Sequence, residues 1–271
     1  MKFIHFSDIH FNADYSGSII RRLHYKTGLT TTEQFELSLD HMLSSEPDAD
    51  FYILTGDLVH EGTTDEYAII QEIITGRLKA PVYVCPGNHD YDCYFEHWPE
   101  YYAGSCGSYM ANESIRIISI DSRGGPYGSG VLNNEQLDWL REILAKPNPS
   151  GASILLVHHT PHVSGEVPYL VYQMQEPERL LEVVEGSDIA GIFCGHTHIR
   201  FESTFGGIPV YTAPGITFGI YTDEEHDYMT WNNLTGYNIC TFEKGVLSVE
   251  AVDIVPEVFC EEKIHYSELA K

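Results

Sequence analysis

No apolar run in this chain lasts more than a few residues, whereas a helix that spans a bilayer needs about 20. A membrane-spanning role is therefore not expected. Basic residues are also scarce, with 15 Lys and Arg against 40 Asp and Glu and a formal charge of -25. Such a field repels phosphate backbones, so long nucleic acid and anionic membrane surfaces are poor candidate partners. The densest basic cluster is Arg21-Arg22, followed by His24 and Lys26. It is too small for a duplex footprint, but large enough to meet one phosphate or carboxylate. Six cysteines in 271 residues are too few for a disulfide scaffold, and Cys85 and Cys194 lie in apolar runs where a thiol packs as a small hydrophobe. The segment Met1 to Asp8 lacks the apolar stretch and small-residue cleavage site of a secretory signal. The expected compartment is the cytoplasm.

The chain does have the means to build a core, with 43% hydrophobic and 12% aromatic residues. One α/β domain of this length removes roughly 70 to 75% of the unfolded surface from water, and residues 1–271 are read as a single domain. Short apolar runs at 2–7, 51–54, 82–85, 115–120, 154–157 and 189–194 read as buried strands. Helical periodicity fills the gaps at about 31–45, 64–78, 134–144 and 176–184, with Thr31 or Thr32 and Asn133 or Asn134 as the caps of the first and third. Beyond residue 200 the pattern changes to strands at 208–211, 237–243 and 247–254, the last two forming a hairpin around Lys244-Gly245. This rhythm predicts two packed mixed β-sheets with helices outside, a four-layer α/β/β/α sandwich. Residues 11–30 read as loop or irregular helix, 91–113 as a long irregular insertion, and 259–271 as a helix or an extended edge.

Each early strand empties into a polar cluster, and in an α/β fold such strand ends converge on one face. Asp8-Ile9-His10 and His196-Thr197-His198 put metal-type side chains two positions apart, so that both point the same way on an extended exit. Gly56-Asp57 and Gly87-Asn88-His89-Asp90 add a glycine that permits close backbone approach to a crowded centre. The Asp57 carboxylate has two oxygens and a charge with which to bridge two cations, and Asn88 offers a neutral amide oxygen. At His158-His159, strand alternation turns one imidazole to the shared site and the other away, without saying which. A donor set of carboxylate, amide and imidazole without thiolate suits Mn, Fe or Zn better than an oxygen-only Mg or Ca cage.

In order and surroundings these five blocks resemble the motifs of the calcineurin-like metallophosphoesterase superfamily, from the first strand to residue 198. The opening Phe6-Ser7-Asp8-Ile9-His10 and the Arg21-Arg22-Leu23 segment resemble its class III cyclic-nucleotide phosphodiesterase branch. The resemblance implies that Asp8, His10 and His198 hold one metal, that Asp57 bridges, and that Asn88, His158 and His196 complete the second. It selects His158 over His159, makes His89 the residue that contacts the phosphate or protonates the leaving oxygen, and gives Asp90 the orientation of that loop. The implied cofactors are two divalent or mixed-valence transition-metal ions, Mn, Fe or Zn. The implied activity is hydrolysis of a small phosphodiester such as a cyclic nucleotide. A phosphomonoesterase, a glycerophosphodiester hydrolase and a catalytically silent protein-binding scaffold are the alternatives.

Specificity is expected from segments 11–30, 91–113 and 162–175. Tyr91, Tyr94, Phe95, Trp98, Tyr101, Tyr102 and Tyr109 can form an aromatic wall, a lid or an isologous homodimer contact. Arg21, Arg22 and Arg123 are the candidate cations for the substrate, each equally explicable as a surface ion-pair partner.

Overall fold

The computed structural model describes residues 1–13, 20–60, 62–91, 106–111, 115–161, 173–222 and 228–265. Strands β1 (Lys2–Phe6), β2 (Phe51–Thr55) and β3 (Val82–Cys85) run parallel. They are almost wholly buried, as strands covered on both faces must be. Three helices lie between them in sequence: α1 (Ile20–Thr27), α2 (Thr31–Ser45) and α3 (Thr64–Arg77). Reciprocal capping boxes start the last two, Thr30 with Glu33 and Thr63 with Glu66, each satisfying backbone donors that a helix start would otherwise leave open. The cap of α2 is thus Thr30, one or two residues before the predicted Thr31 or Thr32, and α1 is a regular helix inside the stretch read as loop or irregular helix.

The second sheet is built from β4 (Cys106–Ala111), β5 (Ile115–Ile120), β6 (Ser153–Leu156), β7 (Ile189–Cys194), β8 (Phe201–Phe205) and β9 (Ile208–Thr212), in the order β4-β5-β6-β7-β9-β8. Helices α4 (Asn134–Ala145) and α5 (Pro177–Val184) belong to it, and Asn133 caps α4. The chain then returns to the first sheet. Strand β12 (Thr235–Glu243) pairs antiparallel with β1, and β13 (Val246–Ile254) completes the order β13-β12-β1-β2-β3. The hairpin joining β12 to β13 has only Lys244 and Gly245 in its loop, at φ 53° and 80°, the double left-handed conformation of a two-residue hairpin turn.

Side-chain alternation divides the core into three layers of packing. Ile4, Phe6 and Leu54 face Phe35 and Leu39 of α2 and Ile70 of α3. On the other face Phe3, Phe51 and Ile53 meet Ile117, Ile154 and Phe193 of the second sheet. Leu155 and Ile192 turn outward onto Leu137, Leu140 and Leu180 of α4 and α5. The result is the four-layer sandwich with two mixed sheets and flanking helices.

A third sheet was not anticipated. Strands β10 (Gly219–Thr222), β11 (Tyr228–Asn232) and β14 (Glu261–His265) form it, and Met229, Trp231 and Ile264 pack with Phe218 on Ile20 and Leu23 of α1. Strand β14 settles the tail in favour of the extended alternative as far as His265. The stretch 91–113 is corrected in part. Cys106–Ala111 is a strand paired with β5, because the apolar edge of β5 needs a hydrogen-bonding neighbour, while 92–105 and 112–114 lie outside the described residues. Among the described residues no helix is long and apolar enough to cross a membrane.

One buried histidine away from the strand exits has a measurable consequence. His5 lies between the two sheets, 0% exposed, with Nε2 3.0 Å from Thr55 Oγ1 and Nδ1 3.1 Å from Asn238 Nδ2. Asn238 Oδ1 accepts from Arg200 Nε at 3.2 Å, so its amide nitrogen faces His5 and His5 Nδ1 must accept. Burial, reinforced by the Arg200 charge and only partly opposed by a backbone bond at Cys194, lowers the His5 pKa to about 3. A depressed pKa on a base favours the neutral folded form. Its contribution is complete above the ordinary value of about 6.5 and is lost as pH falls from there towards 3. Between pH 7.5 and 5 the wild type should therefore lose about 2 kcal/mol more stability than His5→Asn. Urea unfolding of both metal-free proteins at the two pH values measures this, and equal losses would show that His5 does not govern it.

Candidate metal centre

Seven donor residues leave the C-terminal ends of five strands. Asp8 and His10 follow β1, Asp57 follows β2, Asn88 follows β3, His158 follows β6, and His196 and His198 follow β7. The exits are tied to one another by backbone bonds: Asp8 N–H to Gly56 O at 3.1 Å, His10 N–H to Asp57 O at 2.9 Å, and Gly195 N–H to His158 O at 3.0 Å. Of the eight described non-glycine residues at positive φ, five are Asp8, His10, Asp57, His196 and His198. Left-handed backbone at such residues is costly and persists where the surroundings over-determine it, typically at functional sites.

Glycine makes this crowding sterically feasible. A Cβ on Gly56 would stand 2.4 Å from His158 Nδ1, and one on Gly87 2.2 Å from Asp57 Oδ1. Both glycines do what the sequence reading asked of them. Gly195 and Gly215 play the same part, with Cβ positions 1.9 Å from Ser7 Oγ and 2.5 Å from His198 Nδ1.

The donors fall into two groups. In the first, His10 Nε2 lies 3.1 Å from His198 Nε2 and 4.0 Å from Asp8 Oδ1, while His198 Nε2 is 3.6 Å from that same oxygen. In the second, Asn88 Oδ1 lies 3.1 Å from His158 Nε2 and 2.8 Å from His196 Nδ1. Asp57 Oδ2 stands between them, 3.4 Å from His10 Nε2 and 3.3 Å from His158 Nε2. Its other oxygen accepts the His89 N–H at 2.9 Å. Asp8, His10 and His198 converge closely enough to share one ion, and so do Asp8, Asp57 and His158.

Hydrogen bonding fixes which ring nitrogens are available. His198 Nδ1 donates to the Phe218 carbonyl at 3.0 Å, and His158 Nδ1 donates to the Thr55 carbonyl at 2.6 Å. Each neutral ring therefore presents an Nε2 lone pair to the centre, the second-tier arrangement usual for metal-ligating histidine. The Nε2 atoms of His10 and His198 face each other beside two carboxylates, a buried cluster of nitrogen and oxygen donors that fits a divalent cation. The nitrogen and oxygen donors suit borderline transition metals.

The electrostatics favour ligation at His10, His196 and Asp57 and oppose it at His158. Burial pushes the His10 and His196 pKa values well below the ordinary imidazole range, with help from neighbouring histidines, so both rings are unprotonated. Burial opposes ionisation of Asp57, but His158, His89 and His10 outweigh it and hold the carboxyl well below its usual range. For His158 burial is likewise outweighed, chiefly by Asp57, and the pKa rises to about 9. Metal ligation requires the neutral ring, so a cation at His158 must displace the second proton that Asp57 favours there.

Other predicted residues are located as follows. His159 is buried between Ser122 Oγ at 2.7 Å and the Gly128 carbonyl at 2.9 Å, which occupy both its ring nitrogens, although one of those nitrogens lies within 4.8 Å of ligand atoms of His158 and His196. His89 is half-buried, with its ring 4.9 Å from that of His10. Asp90 accepts from the N–H groups of Leu58, Val59 and Gly87 and from Tyr67 Oη, so it joins the β2 and β3 exits. Burial first, then Asp57, raises its pKa to about 6. Arg22 and Lys26 both pair with Glu262 and tie α1 to β14, while Arg123 pairs with Asp121 and donates to the Asp90 carbonyl. Tyr109 packs on Tyr83, whereas Tyr94, Phe95, Trp98, Tyr101 and Tyr102 lie outside the described residues.

Two residues at the site carried no sequence signal. His60 bonds to His10 Nδ1, and Phe218 both accepts from His198 and stacks on its ring with centroids 4.4 Å apart. His60 lies three residues beyond Gly56-Asp57, outside the motif itself, and Phe218 belongs to no such motif.

Residues 1–200 match the family model described as calcineurin-like phosphoesterase. A probable cyclic nucleotide phosphodiesterase of Rhodococcus erythropolis is 31% identical over 78% of this chain and 69% of its own length. A probable glycerophosphodiester phosphodiesterase of Arcobacter nitrofigilis is 31% identical over 69% of this chain and 70% of its own. A dimetal phosphatase of Danio rerio superposes with a TM-score of 0.69 at 12% identity, covering 98% of this chain and 99% of the other, a likeness of fold.

Proposed function

The chain belongs to the calcineurin-like phosphoesterase family, and from that premise we propose that it hydrolyses a small phosphodiester, with a cyclic nucleotide as the substrate class. The observation that carries the reading is the single oxygen, Asp57 Oδ2, within 3.4 Å and 3.3 Å of donors in two separate groups. In this reading Asp8, His10 and His198 would hold one cation and Asn88, His158 and His196 the other, with Asp57 shared between them. When bound, the cations supply Lewis acidity that acidifies water and offsets charge on the phosphoryl oxygens.

The chain supplies orientation and proton transfer. Phe218 and Thr55 hold His198 and His158 in the tautomer that presents Nε2. The His89 backbone is fixed on Asp57 and its half-buried ring borders His10. His89 is thus close enough to the centre to donate a proton to the departing ester oxygen, the contribution of a general acid. Asp90 keeps the two exits in register through four hydrogen bonds from Leu58, Val59, Gly87 and Tyr67.

The cyclic-nucleotide assignment is supported by the name of the Rhodococcus relative, and the Arcobacter relative keeps a glycerophosphodiester as the second reading. The same reading takes residues 1–271 as one domain, since β12 returns to pair with β1. It also assigns the chain to the cytoplasm, in keeping with the free thiols of Cys85, Cys194, Cys240 and Cys260. Initial rates of the Mn²⁺-loaded protein on 3′,5′-cyclic AMP, glycerophosphoethanolamine and p-nitrophenyl phosphate test the assignment. A kcat/KM at least about tenfold higher on the cyclic nucleotide, equivalent to 1.36 kcal/mol of barrier, is expected. Preference for the glycerophosphodiester moves the substrate class, and preference for the monoester contradicts the diesterase reading.

A further inference from the structure

We propose that His60 is a positioning residue that acts on both sides of the reaction centre, fixing the tautomer of His10 through a ring-to-ring hydrogen bond and holding the ring of His89 by stacking. The inference rests on the reading of His10 as a ligand and His89 as the proton donor.

His60 is brought to the site by backbone, without help from a flexible loop. The segment after Asp57 runs beside the segment after Asp8, with His10 N–H on Asp57 O at 2.9 Å, Phe11 N–H on Leu58 O at 3.0 Å and His60 N–H on Phe11 O at 2.8 Å. This short parallel ladder sets the half-buried His60 ring against His10, with the two Nδ1 atoms 3.0 Å apart. At that separation one hydrogen lies between them. If His60 supplied it, His10 Nδ1 would be the acceptor and the remaining proton of a neutral His10 ring would sit on Nε2. That proton would point at His198 Nε2 and Asp57 Oδ2, 3.1 Å and 3.4 Å away, and would block the lone pair the cation needs. The hydrogen therefore belongs to His10 Nδ1, His60 Nδ1 accepts it, and His60 carries its own proton on Nε2.

The partner of a metal-ligating histidine is ordinarily a carboxylate, a backbone carbonyl or water. An imidazole in that place does something those acceptors do not. It is a flat ring, and its face is available. The rings of His60 and His89 are stacked, with centroids 4.6 Å apart and planes at 21°, while His10 meets His89 edge-on at 4.9 Å and 68°. His89 is thus held between the face of one imidazole and the ring of another. One side chain couples the ligand shell to the residue that delivers the proton.

Two substitutions separate the roles. His60→Asn keeps a side-chain oxygen that can accept from His10 but has no ring, whereas His60→Phe keeps the ring but cannot accept. Calorimetric titration of the metal-free proteins with Mn²⁺ reads the first role without turnover. His60→Phe should weaken the tighter Mn²⁺ by about 10 to 100-fold, the usual effect of losing such a partner, and His60→Asn should stay within about threefold of wild type. At saturating Mn²⁺ the order reverses on substrates that need a protonated leaving group. The kcat of His60→Asn on a cyclic nucleotide should fall about tenfold relative to its kcat on bis(p-nitrophenyl) phosphate, whose leaving group needs no proton. The His60→Phe ratio should match wild type. Melting curves of the metal-free proteins identify a variant that has lost its fold, and His60→Gln and His60→Tyr then take the acceptor and ring arms. Equal Mn²⁺ affinity in the Phe and Asn variants, an unchanged leaving-group ratio in Asn, or a third equivalent of Mn²⁺ bound by the wild type and lost in both, as a site formed by His10, His60 and His89 would give, would overturn the proposal. If the wild type itself fails to bind two Mn²⁺ or to show metal-dependent turnover, the underlying assignment of the centre is what fails.

Discussion

Asp57→Asn should lower phosphodiester turnover by about a thousandfold and leave a chain that no longer retains two cations. The carboxylate is 1% exposed, and its Oδ2 is 3.4 Å from one group of donors and 3.3 Å from the other while Oδ1 is occupied by the His89 N–H. An amide removes the negative charge between two cations. It also replaces one oxygen with an NH₂ group, so that either the bridge or the His89 contact is lost. Removing one partner from a buried charge interaction typically costs about 3 to 5 kcal/mol, and each 1.36 kcal/mol is tenfold in rate. Bound metal, measured by inductively coupled plasma spectrometry on gel-filtered protein, should fall from two equivalents to one or none. Calorimetric melting of the metal-free wild type and variant separates loss of the centre from loss of the fold. Retained turnover with two metals bound would remove Asp57 from the bridging position.

Gly195→Ala should be nearly as damaging although it adds one methyl group and replaces no proposed ligand. The added Cβ would stand 1.9 Å from Ser7 Oγ, 2.8 Å from Asp8 Oδ2 and 2.8 Å from the Thr55 carbonyl. None of these can easily yield. Ser7 Oγ is buried and donates to the Thr55 carbonyl at 2.9 Å, and both Asp8 oxygens accept the His196 N–H at 3.1 Å. The exit of β7 must therefore move away from the exit of β1, carrying His196 and His198 with it. Overpacking of this kind costs roughly 3 kcal/mol, and a displacement of about 1 Å at a reacting centre costs about a hundredfold in rate. The control is Gly76→Ala in α3, where a Cβ meets nothing within 4 Å and a gain of about 0.5 to 1 kcal/mol is expected from helix propensity. Urea midpoints and kcat of the two variants compare them directly. A Gly195→Ala protein with wild-type stability and rate would mean that the two exits are not packed as described.

The strands that carry the centre were legible because each is a short apolar run between helical periodicities, ending in a polar cluster. Asp8, Asp57, Asn88 and His196 were marked by that position, and Gly56 and Gly87 by what a crowded exit requires. Alternation could not distinguish His158 from His159. The distinction lies in tertiary partners, Thr55 and Asn88 for the first and Ser122 and Gly128 for the second. His60 was silent for a related reason. It follows Val59 in a segment whose short pairing with the Phe11 segment is visible only in three dimensions. The third sheet escaped notice because Gly219–Thr222 and Tyr228–Asn232 are four and five residues long and bury Thr230 and Asn232 beside Trp231, which blurs the hydrophobic period. That sheet nevertheless reaches the centre, since Phe218 stacks on His198 on one side and on Trp231 on the other, with centroids 4.4 Å and 5.1 Å apart.

The central claim is a pair of cations sharing Asp57, and Mn²⁺ titration of the metal-free protein followed by electron paramagnetic resonance tests it most directly. Two equivalents bound per chain, with the isolated-ion signal replaced by an exchange-coupled spectrum as the second site fills and diesterase activity rising in parallel, is the expected result. Saturation at one equivalent, or two equivalents that keep uncoupled spectra, would contradict a bridged centre.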